Sequence, residues 1–318
     1  MLVQRKERFV GAILGCAFGD VLGAAVEMQS RQEILLQHPQ LVRDFLPSQQ
    51  GLGFGCYTDD TEMTLALARS ILRKKEVDGA DCAAAYAETF TPERGYGRSA
   101  VQVLTALQQG ADWLSSGNML FADGSFGNGA VMRIAPIGLL YGLLDHQQLY
   151  QKVKLAVWMT HTHPEAIDAA LLQARAIGLM LAADELPDAQ GFLEKLFCFV
   201  PESTLNVKLQ GLALLLNRFA TADEVVAEFG CGVRSADSWP PALWAALRFI
   251  DDPEEAIVQA VNLGGDTDTI GAMTGALVGA LHGDQWFPTR WYEQLENGTA
   301  GRDELIEVAE RLAEFSAC

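Results

Sequence analysis

The chain has 318 residues, of which 49% are hydrophobic and 20% are charged, a balance typical of a folded globular protein and not of a disordered one. This length allows one large domain or two ordinary ones. The formal net charge of −18 argues against nucleic acid and anionic membranes as partners, because an acidic surface repels both, whereas converging acids favour the capture of divalent cations.

The first apolar run follows Arg5, Lys6 and Arg8 and has the sequence FVGAILGCAFG. A basic start before a short apolar core is also the pattern of a secretory signal peptide. Asp20 interrupts this run, however, and apolar residues continue to Val26 at helical spacing. No run reaches the ~18 apolar residues of a membrane helix. We therefore expect an apolar helix here, in a cytoplasmic protein that does not enter a membrane.

Six cysteines are scattered along the chain without a CxxC pair. Their spacing is neither that of a zinc site nor that of a dense disulfide framework, so reduced cytosolic thiols are the simplest interpretation.

Helical patterns dominate the rest of the sequence. Residues 61–74 place Met63, Leu67 and Ile71 on one stripe, at i, i+4 and i+8. Alternating strand patterns are scarce, and we predict an all-α fold, a single compact domain over residues 1–318 with about a dozen helices. Other helices are marked by their ends or faces: Pro164 at a first turn, Thr221 with Glu224 before a stop at Gly230, Asp252 with Pro253 and Glu255, and the face of Leu305, Val308, Leu312 and Phe315.

Two aspartates open the segment NLGGDTDTIGAMTGALVGALHG, residues 262–283. On a helix, residues two apart point about 200° away from each other, so Asp266 and Asp268 can share a target only in an extended or looped segment. We expect such a loop, with Thr269 or Asp268 capping the helix that follows; capping alone is the other interpretation. That helix carries small residues at a spacing that lets another helix approach closely, at Gly271, Gly275 and Gly279.

A second Asp/Thr cluster, in YTDDTEM, precedes another apolar helix with Thr58, Asp59, Asp60 and Thr61. These residues could again be simple caps. Brought together, the four carboxylates of the two clusters would repel one another unless cations neutralised them. Hard oxygen ligands suit Mg²⁺, Mn²⁺ or Ca²⁺ and not zinc, and their number suits two octahedral ions about 3.5–4 Å apart, bridged by one aspartate.

Two further acids lie on the first apolar segment. Glu27 ends that helix and is either another acid of the site or an ordinary solvated residue. Asp20, next to Gly19, is predicted to be structural, as a helix-end or core hydrogen-bonding group.

The loop DGSFGNGAVMR, residues 123–133, has three glycines, a serine and an asparagine before an apolar run. Backbone N–H groups in such a loop can hold an anion, and beside two cations a diphosphate is an attractive ligand. A plain turn is the alternative.

Two histidines occur in THTHPEA, where the other ligands of a zinc site are missing. Thr162 or His163 is expected to cap the helix that Pro164 begins. His161 is expected to face a pocket, as a neutral donor or a stacking surface.

These motifs together resemble the ADP-ribosylglycohydrolases, which are related to dinitrogenase reductase-activating glycohydrolase. The likeness covers almost the whole chain in order. ERGYG followed by GSFGNGA is most similar to the branch that cleaves serine-linked ADP-ribose, poly(ADP-ribose) and O-acetyl-ADP-ribose; the arginine-specific branch is the alternative. The likeness to the family is carried by six segments, in chain order GCAFGDVLGAAVE, YTDDTEMTLAL, PERGYGRSAVQVL, GSFGNGAVMRIAPIGLL, THTHPEAIDAALLQA and NLGGDTDTIGAMTGALVGA.

The resemblance implies an all-α fold with two Mg²⁺ ions, or Mn²⁺, in a central cleft. Asp268 would bridge the ions, and Glu27, on a mobile flap, and Asp59 would act at the scissile bond. By matched motif, the metal ligands would be Glu27, Thr58, Asp59, Asp60, Asp266, Asp268 and Thr269. The residues that bind substrate would be Asp123, Gly124, Ser125, Phe126, Gly127, Asn128 and Gly129 at the diphosphate and ribose, with His161, and with Val233 at the adenine.

The likeness has one departure and leaves some questions open. Phe126 stands where the compared branch often has tyrosine, which puts one hydrogen bond to the ligand in doubt. Arg94, Arg98 and Arg133 either help to hold the diphosphate or are structural or surface residues. The implied partners are ADP-ribosylated proteins or ADP-ribose conjugates, and a monomer is the simplest assembly. Two other classes compete: a non-catalytic ADP-ribose-binding relative, and a two-metal phosphatase or nuclease.

Overall fold

Helices make up nearly all the regular structure of the protein, a computed structural model that describes residues 4–48, 51–200 and 203–316. Within those ranges the chain forms no strand, only two isolated β-bridges. The helices are α1 Arg5–Ala24, α2 Arg31–Gln37, α3 Asp59–Lys74, α4 Gly79–Thr89, α5 Arg98–Gln108, α6 Trp113–Ser116, α7 Gly129–Met132, α8 Ala135–Tyr141, α9 His146–Val157, α10 Pro164–Leu181, α11 Ala189–Phe197, α12 Leu205–Asn217, α13 Ala222–Phe229, α14 Ser235–Arg248, α15 Pro253–Val261, α16 Thr267–His282, α17 Thr289–Gln294 and α18 Arg302–Phe315.

The all-α prediction is confirmed, but the predicted number of helices is too low. The described ranges contain 18 helices instead of about a dozen. Two of the additional helices, α6 and α7, have four residues each. One turn is too short to show a helical period in the sequence, so such helices cannot be found by periodicity.

Helices α1 and α16 pack backbone against backbone along their glycines, a contact that we call the glycine seam. A Cβ atom built on Gly15 would lie 2.3 Å from the carbonyl oxygen of Gly275, and one built on Gly19 would lie 2.0 Å from that of Gly271. The predicted close approach to α16 is therefore confirmed. The partner of α16 in this contact, α1, was not predicted. It also carries a glycine at every fourth residue, namely Gly11, Gly15, Gly19 and Gly23.

Three of the predicted helix starts are found where the sequence places them. Asp252 accepts a hydrogen bond from the backbone N–H of Glu255 at 3.0 Å, and His163 caps α10 by accepting from the N–H of Glu165. Thr221 and Glu224 form a reciprocal capping box, which satisfies two backbone donors at once. The predicted stripes are also buried or half-buried, at Met63, Leu67, Ile71, Leu305, Val308, Leu312 and Phe315.

Around α1 and α16 the other helices pack into one continuous hydrophobic core, in which Trp239, Trp244 and Trp291 are almost fully buried. The cysteines in the described ranges are free thiols. Among those same residues, no helix combines the length and the apolar character that crossing a bilayer requires. The packing brings the end of α1 and the starts of α3 and α16 together, and this junction carries the acids that the sequence marks.

Candidate metal centre and ligand cleft

Three acids meet at the junction: Glu27 in the turn after α1, Asp266 at the N-cap of α16 and Asp268 in the first turn of α16. Ligand atoms of Glu27, Asp266 and Asp268 all lie within 4.8 Å of one another. The two aspartates are buried and Glu27 is half-buried. Three carboxylates at this separation form a group of oxygen ligands that could hold a hard divalent cation.

The predicted loop around the two aspartates is only partly correct. Asp266 has non-helical angles (φ −85°, ψ 68°) at the N-cap position of α16, but Asp268 lies within the first helical turn. Neither Thr269 nor Asp268 is therefore the cap, and that prediction is wrong. The side chains still converge because Asp266 is not helical, so the helical angle between residues two apart does not apply to this pair.

Glu27 is held next to Asp266 by a short backbone pairing. The N–H of Met28 donates to the carbonyl oxygen of Gly265 at 2.7 Å. The N–H of Gly265 in turn donates to the carbonyl oxygen of Gln29, also at 2.7 Å. Met28 has a positive φ of 62°, which is uncommon for a residue with a side chain. The segment that follows α1 is thus fastened to the segment that precedes α16.

The start of α3 supplies the remaining acids. Asp59 is half-buried and faces the cleft, whereas Asp60 is 1% exposed and accepts hydrogen bonds through Oδ2 from Thr58 Oγ1 (3.1 Å) and Thr269 Oγ1 (3.5 Å). The other oxygen of Asp60, Oδ1, is buried without a hydrogen-bond partner. A buried carboxylate oxygen is normally satisfied, and a bound cation would satisfy this one. The donor set therefore fits a metal ion.

Asp20 is structural, as predicted. It is fully buried and accepts hydrogen bonds from the backbone N–H of Thr58 (2.8 Å) and from the N–H (3.0 Å) and the Oγ1 hydroxyl (2.6 Å) of Thr61. Burial raises the pKa of Asp20 to about 6, although these hydrogen bonds oppose the shift. Asp20 thus joins α1 to the first turn of α3 and uses the hydroxyl of Thr61 in doing so.

Burial is the main reason that the acids of the centre resist ionisation. It raises the pKa of Asp59, Asp60 and Asp268 well above the usual range, and neighbouring carboxylates raise each of them further. The pKa of Asp266 is also raised by burial, while hydrogen bonds from its neighbours oppose the shift. These groups can all be ionised together only when positive charge is placed among them.

A cleft of about 340 Å³ opens beside the acids. Of the residues that the sequence marks, the cleft is lined by Glu27, Asp59, Ser125, Gly127, Asn128, Gly129, His161, Val233, Asp266, Asp268 and Thr269. Thr58 and Asp60 are buried and lie outside the set of residues that line it. Residues that the sequence analysis did not single out also line it, among them Met28, Gly97, Ser99, Leu120, Phe121 and Thr160.

The loop that contains residues 123–129 forms one wall. The N–H of Asn128 donates to the carbonyl oxygen of Val233 at 2.9 Å, and that of Gly127 donates to Ser125 Oγ at 3.2 Å. These two N–H groups are therefore already used within the protein, so the loop offers an anion fewer donors than the sequence predicts. The side-chain amide of Asn128 donates to Asp266 Oδ2 at 2.5 Å, which links this wall directly to the acids.

The other three residues of this loop that the sequence marks lie outside the set that lines the cleft. Asp123 is exposed. Gly124 has a φ of 80°, and a Cβ there would meet Thr162 Oγ1 at 2.1 Å, so glycine is required at that position. Phe126 is 50% exposed, and its ring packs against the guanidinium of Arg234, 5.4 Å from the ring centroid.

His161 is buried beside the same wall. Its Nδ1 is hydrogen bonded to Thr160 Oγ1 at 2.8 Å, and that oxygen also accepts from Arg133 Nη2 at 2.6 Å. Burial and the nearby Arg133 charge lower the pKa of His161 to about 3. Burial therefore favours the neutral imidazole, and His161 lines the cleft, as predicted.

The three arginines that the sequence analysis considered have different surroundings. Arg133 is 1% exposed, and its guanidinium lies 4.6 Å from the ring centroid of Tyr86. Arg94 forms ion pairs with Glu296 (2.7 Å) and Glu62 (3.3 Å). Both are structural. Arg98 is exposed and lines the cleft.

Comparison with known proteins identifies the family of the chain. A family model described as ADP-ribosylglycohydrolase matches residues 1–317. The proteins named ADP-ribosylhydrolase ARH3 from Bos taurus and Homo sapiens are 31% and 30% identical to this chain, and each alignment covers 97% of the chain and 94% of the relative. A solved structure described as an ADP-ribosylglycohydrolase-related protein complex superposes with a TM-score of 0.73 at 29% identity, covering 98% of this chain and 99% of that one.

The family match spans the helices that carry the acids and the loops that form the cleft. The chain belongs to the ADP-ribosylglycohydrolase family and is a glycohydrolase that acts on ADP-ribose conjugates.

Proposed function

We propose that the protein is a Mg²⁺-dependent hydrolase that cleaves the glycosidic bond between ADP-ribose and a serine, a further ADP-ribose unit or an acetyl group. The observation that carries the metal dependence is the convergence of Glu27, Asp266 and Asp268 beside the cleft. The buried, unpartnered Oδ1 of Asp60 supports it, because a cation is the partner that this oxygen lacks.

The metal ligands are proposed to be Glu27, Thr58, Asp59, Asp60, Asp266, Asp268 and Thr269, around two Mg²⁺ ions, with Mn²⁺ as the substitute. Divalent cations held there would supply a Lewis acid that orients the hydroxyls of the distal ribose and polarises the sugar. Thr58 and Thr269 contribute hydroxyl oxygens, and both also contact Oδ2 of Asp60, which fixes that carboxylate.

Two carboxylates are proposed to act at the reacting carbon. Cleavage of an N- or O-glycosidic bond passes through a transition state that resembles an oxocarbenium ion, which a nearby carboxylate stabilises. Glu27 and Asp59 are half-buried and face the cleft, so either can stabilise this charge or hold the attacking water as general base. The water adds to the anomeric carbon, and the acceptor leaves with a proton.

The rest of the cleft is proposed to hold the ADP-ribose. The loop of Asp123–Gly129 would contact the diphosphate and the ribose, and the neutral His161 would contact the ligand without adding charge. Val233 is 54% exposed at the cleft, and Phe121 also lines it, so apolar surface is available for the adenine.

The choice of acceptor rests on ERGYG followed by GSFGNGA, the motifs most similar to the serine-directed branch. The relatives named above are called ADP-ribosylhydrolases, a name that agrees with this proposal and does not specify the acceptor. An arginine-specific hydrolase is the alternative, and so is a non-catalytic ADP-ribose-binding protein. We propose a monomeric, cytoplasmic enzyme that acts on ADP-ribosylated proteins or small conjugates.

The test is release of ADP-ribose from two matched peptides, one serine-linked and one arginine-linked, each with Mg²⁺ and with EDTA. Metal-dependent release from the serine peptide alone supports the full proposal, and release from the arginine peptide alone overturns the choice of acceptor. Binding of ADP-ribose without release from either peptide identifies a binding protein. Asp268→Asn is the inactive comparison, and Asp251→Asn, at an exposed position, controls for the lost charge.

A further inference from the structure

A dianionic diphosphate meets an unfavourable field in this protein. The chain has a net charge of −18, and the charge of the proposed Mg²⁺ ions would be balanced by the carboxylates that hold them, since Glu27, Asp59, Asp266 and Asp268 all line the cleft. Two N–H groups of the predicted anion loop are used within the protein, as described above. If the cleft binds ADP-ribose, as the proposed function requires, a local cation near the phosphates would offset the repulsion.

Arg98 is placed to supply that cation. It is the first residue of α5, after the N-cap Gly97. Among the cleft-lining residues that the structure describes, Arg98 has the one lysine or arginine side chain. Arg94 and Arg133 cannot take this role without leaving their own partners, because an ion pair to Glu296 holds the first and a hydrogen bond to Thr160 holds the second.

Arg98 does not contribute to the stability of the fold. Within the described ranges, its side chain makes no hydrogen bond, ion pair or ring contact. It also lies at the positive end of the α5 dipole, where the first turn contains no acidic residue. A cation is disfavoured at a helix N-terminus, so this residue does not stabilise α5. Arg234, which follows the cleft-lining Val233 in the chain, contrasts with Arg98, because its guanidinium donates two hydrogen bonds to Glu165.

We propose that Arg98 binds the diphosphate of the ligand and thereby makes the cleft selective for ligands that carry one. A guanidinium donates two parallel hydrogen bonds to phosphate oxygens, and such charge-assisted bonds are about twice as strong as neutral ones. The side chain is unpaired in the free protein, so binding the phosphate breaks no existing contact. The N–H groups at the start of α5 lie on the same side of the cleft and add to the positive potential.

The test is calorimetric titration of the full chain, in Mg²⁺, with ADP-ribose, ADP and adenosine. Arg98→Ala should raise the dissociation constants of ADP-ribose and ADP about tenfold and leave that of adenosine unchanged, and Arg98→Lys should restore part of the affinity. Arg311→Ala is the matched control. It removes the same charge from an exposed ion pair on α18 and should leave all three constants unchanged. The melting temperature of Arg98→Ala should be no lower than that of the wild type.

Other outcomes would overturn this proposal, the proposed function, or both. Equal loss of affinity in the Arg98→Ala and Arg311→Ala variants would show a general field effect. Unchanged binding of free ADP-ribose with a lower kcat/KM on a modified peptide would place the arginine at the acceptor. An Arg98-dependent affinity for ADP in a protein that hydrolyses no conjugate would keep the anion contact and overturn the proposed function. A wild-type protein that binds neither ADP nor ADP-ribose would overturn both.

Discussion

Replacing Asp268 with asparagine should make the protein more stable than the wild type without metal, and less stable than the wild type with metal. The side chain lies with Glu27 and Asp266 in a group whose ligand atoms are within 4.8 Å of one another. At that distance and an effective dielectric constant of ~20, two unit charges repel by about 3.5 kcal/mol. Partial protonation reduces this repulsion, so in EDTA near pH 7.5 we expect Asp268→Asn to be more stable than the wild type by about 1–3 kcal/mol.

Saturating Mg²⁺ should invert that order. A ligand present at a hundred times its dissociation constant stabilises the folded state by about 2.7 kcal/mol for each site. The wild type should therefore gain at least this amount, whereas the variant, which lacks the proposed bridging carboxylate, should gain little. Urea unfolding with EDTA and with Mg²⁺ measures both differences, and Asp251→Asn should follow the wild type in each.

The pH dependence provides a second check of the same reasoning. Because the pKa of Asp268 is raised in the folded state, the folded wild type binds a proton here that the unfolded chain does not, and the contribution of this group to the unfolding free energy in EDTA rises as the pH falls. The advantage of Asp268→Asn should shrink accordingly. If Asp268→Asn lost the same amount of stability in EDTA and in Mg²⁺, or if Mg²⁺ stabilised it as much as the wild type, the explanation by repelling carboxylates would be refuted.

Three further changes test other parts of the structure. Gly275→Ala would place a Cβ atom 1.9 Å from the carbonyl oxygen of Gly15 and should lower the unfolding free energy in urea by at least about 2 kcal/mol, whereas Gly298→Ala meets no atom within 4 Å and should be neutral. The lowered pKa of His161, about 3, means that the unfolded chain binds a proton below about pH 6.5 that the folded chain does not. Between about pH 7.5 and about pH 5, His161→Gln should therefore lose about 2 kcal/mol less stability than the wild type, and parallel losses would contradict the burial argument. Phe126→Tyr should change the affinity for ADP-ribose by less than about twofold by calorimetry, because its ring is half exposed and packs on Arg234; a large gain would show that the missing hydroxyl contacts the ligand.

The features that the sequence predicted correctly are local. The capping box of Thr221 and Glu224, the cap at Asp252 and the proline that begins α10 each depend on residues within one turn, so their signal is contained in a few adjacent letters. The convergence of the two Asp/Thr clusters is a long-range event. It was expected only because repelling carboxylates need a shared cation, and because the motif order resembles a known family.

What the sequence could not supply depends on contacts between distant segments. Arg98 and Arg94 are four residues apart and of the same type, and only their surroundings distinguish a cleft-facing side chain from a structural one. The same is true of Asn128, whose bonds to Ser238 and Asp266 span more than 100 residues. The glycines of α1 were visible in the sequence, but their role required a partner helix with the same spacing.

The glycine seam also bears on how the protein is made. Thr267 donates a hydrogen bond to Gly23, 244 residues earlier in the chain, so the two halves of the candidate metal centre leave the ribosome far apart in time. Asp20 can pair with Thr58 and Thr61 early in synthesis, since about forty residues separate them. The glycine-lined face of α1 then has no partner until α16 emerges. A nascent chain stalled before α16 therefore carries Glu27, Asp59 and Asp60 without Asp266 and Asp268, and holds an acidic half-site that lacks its second set of ligands.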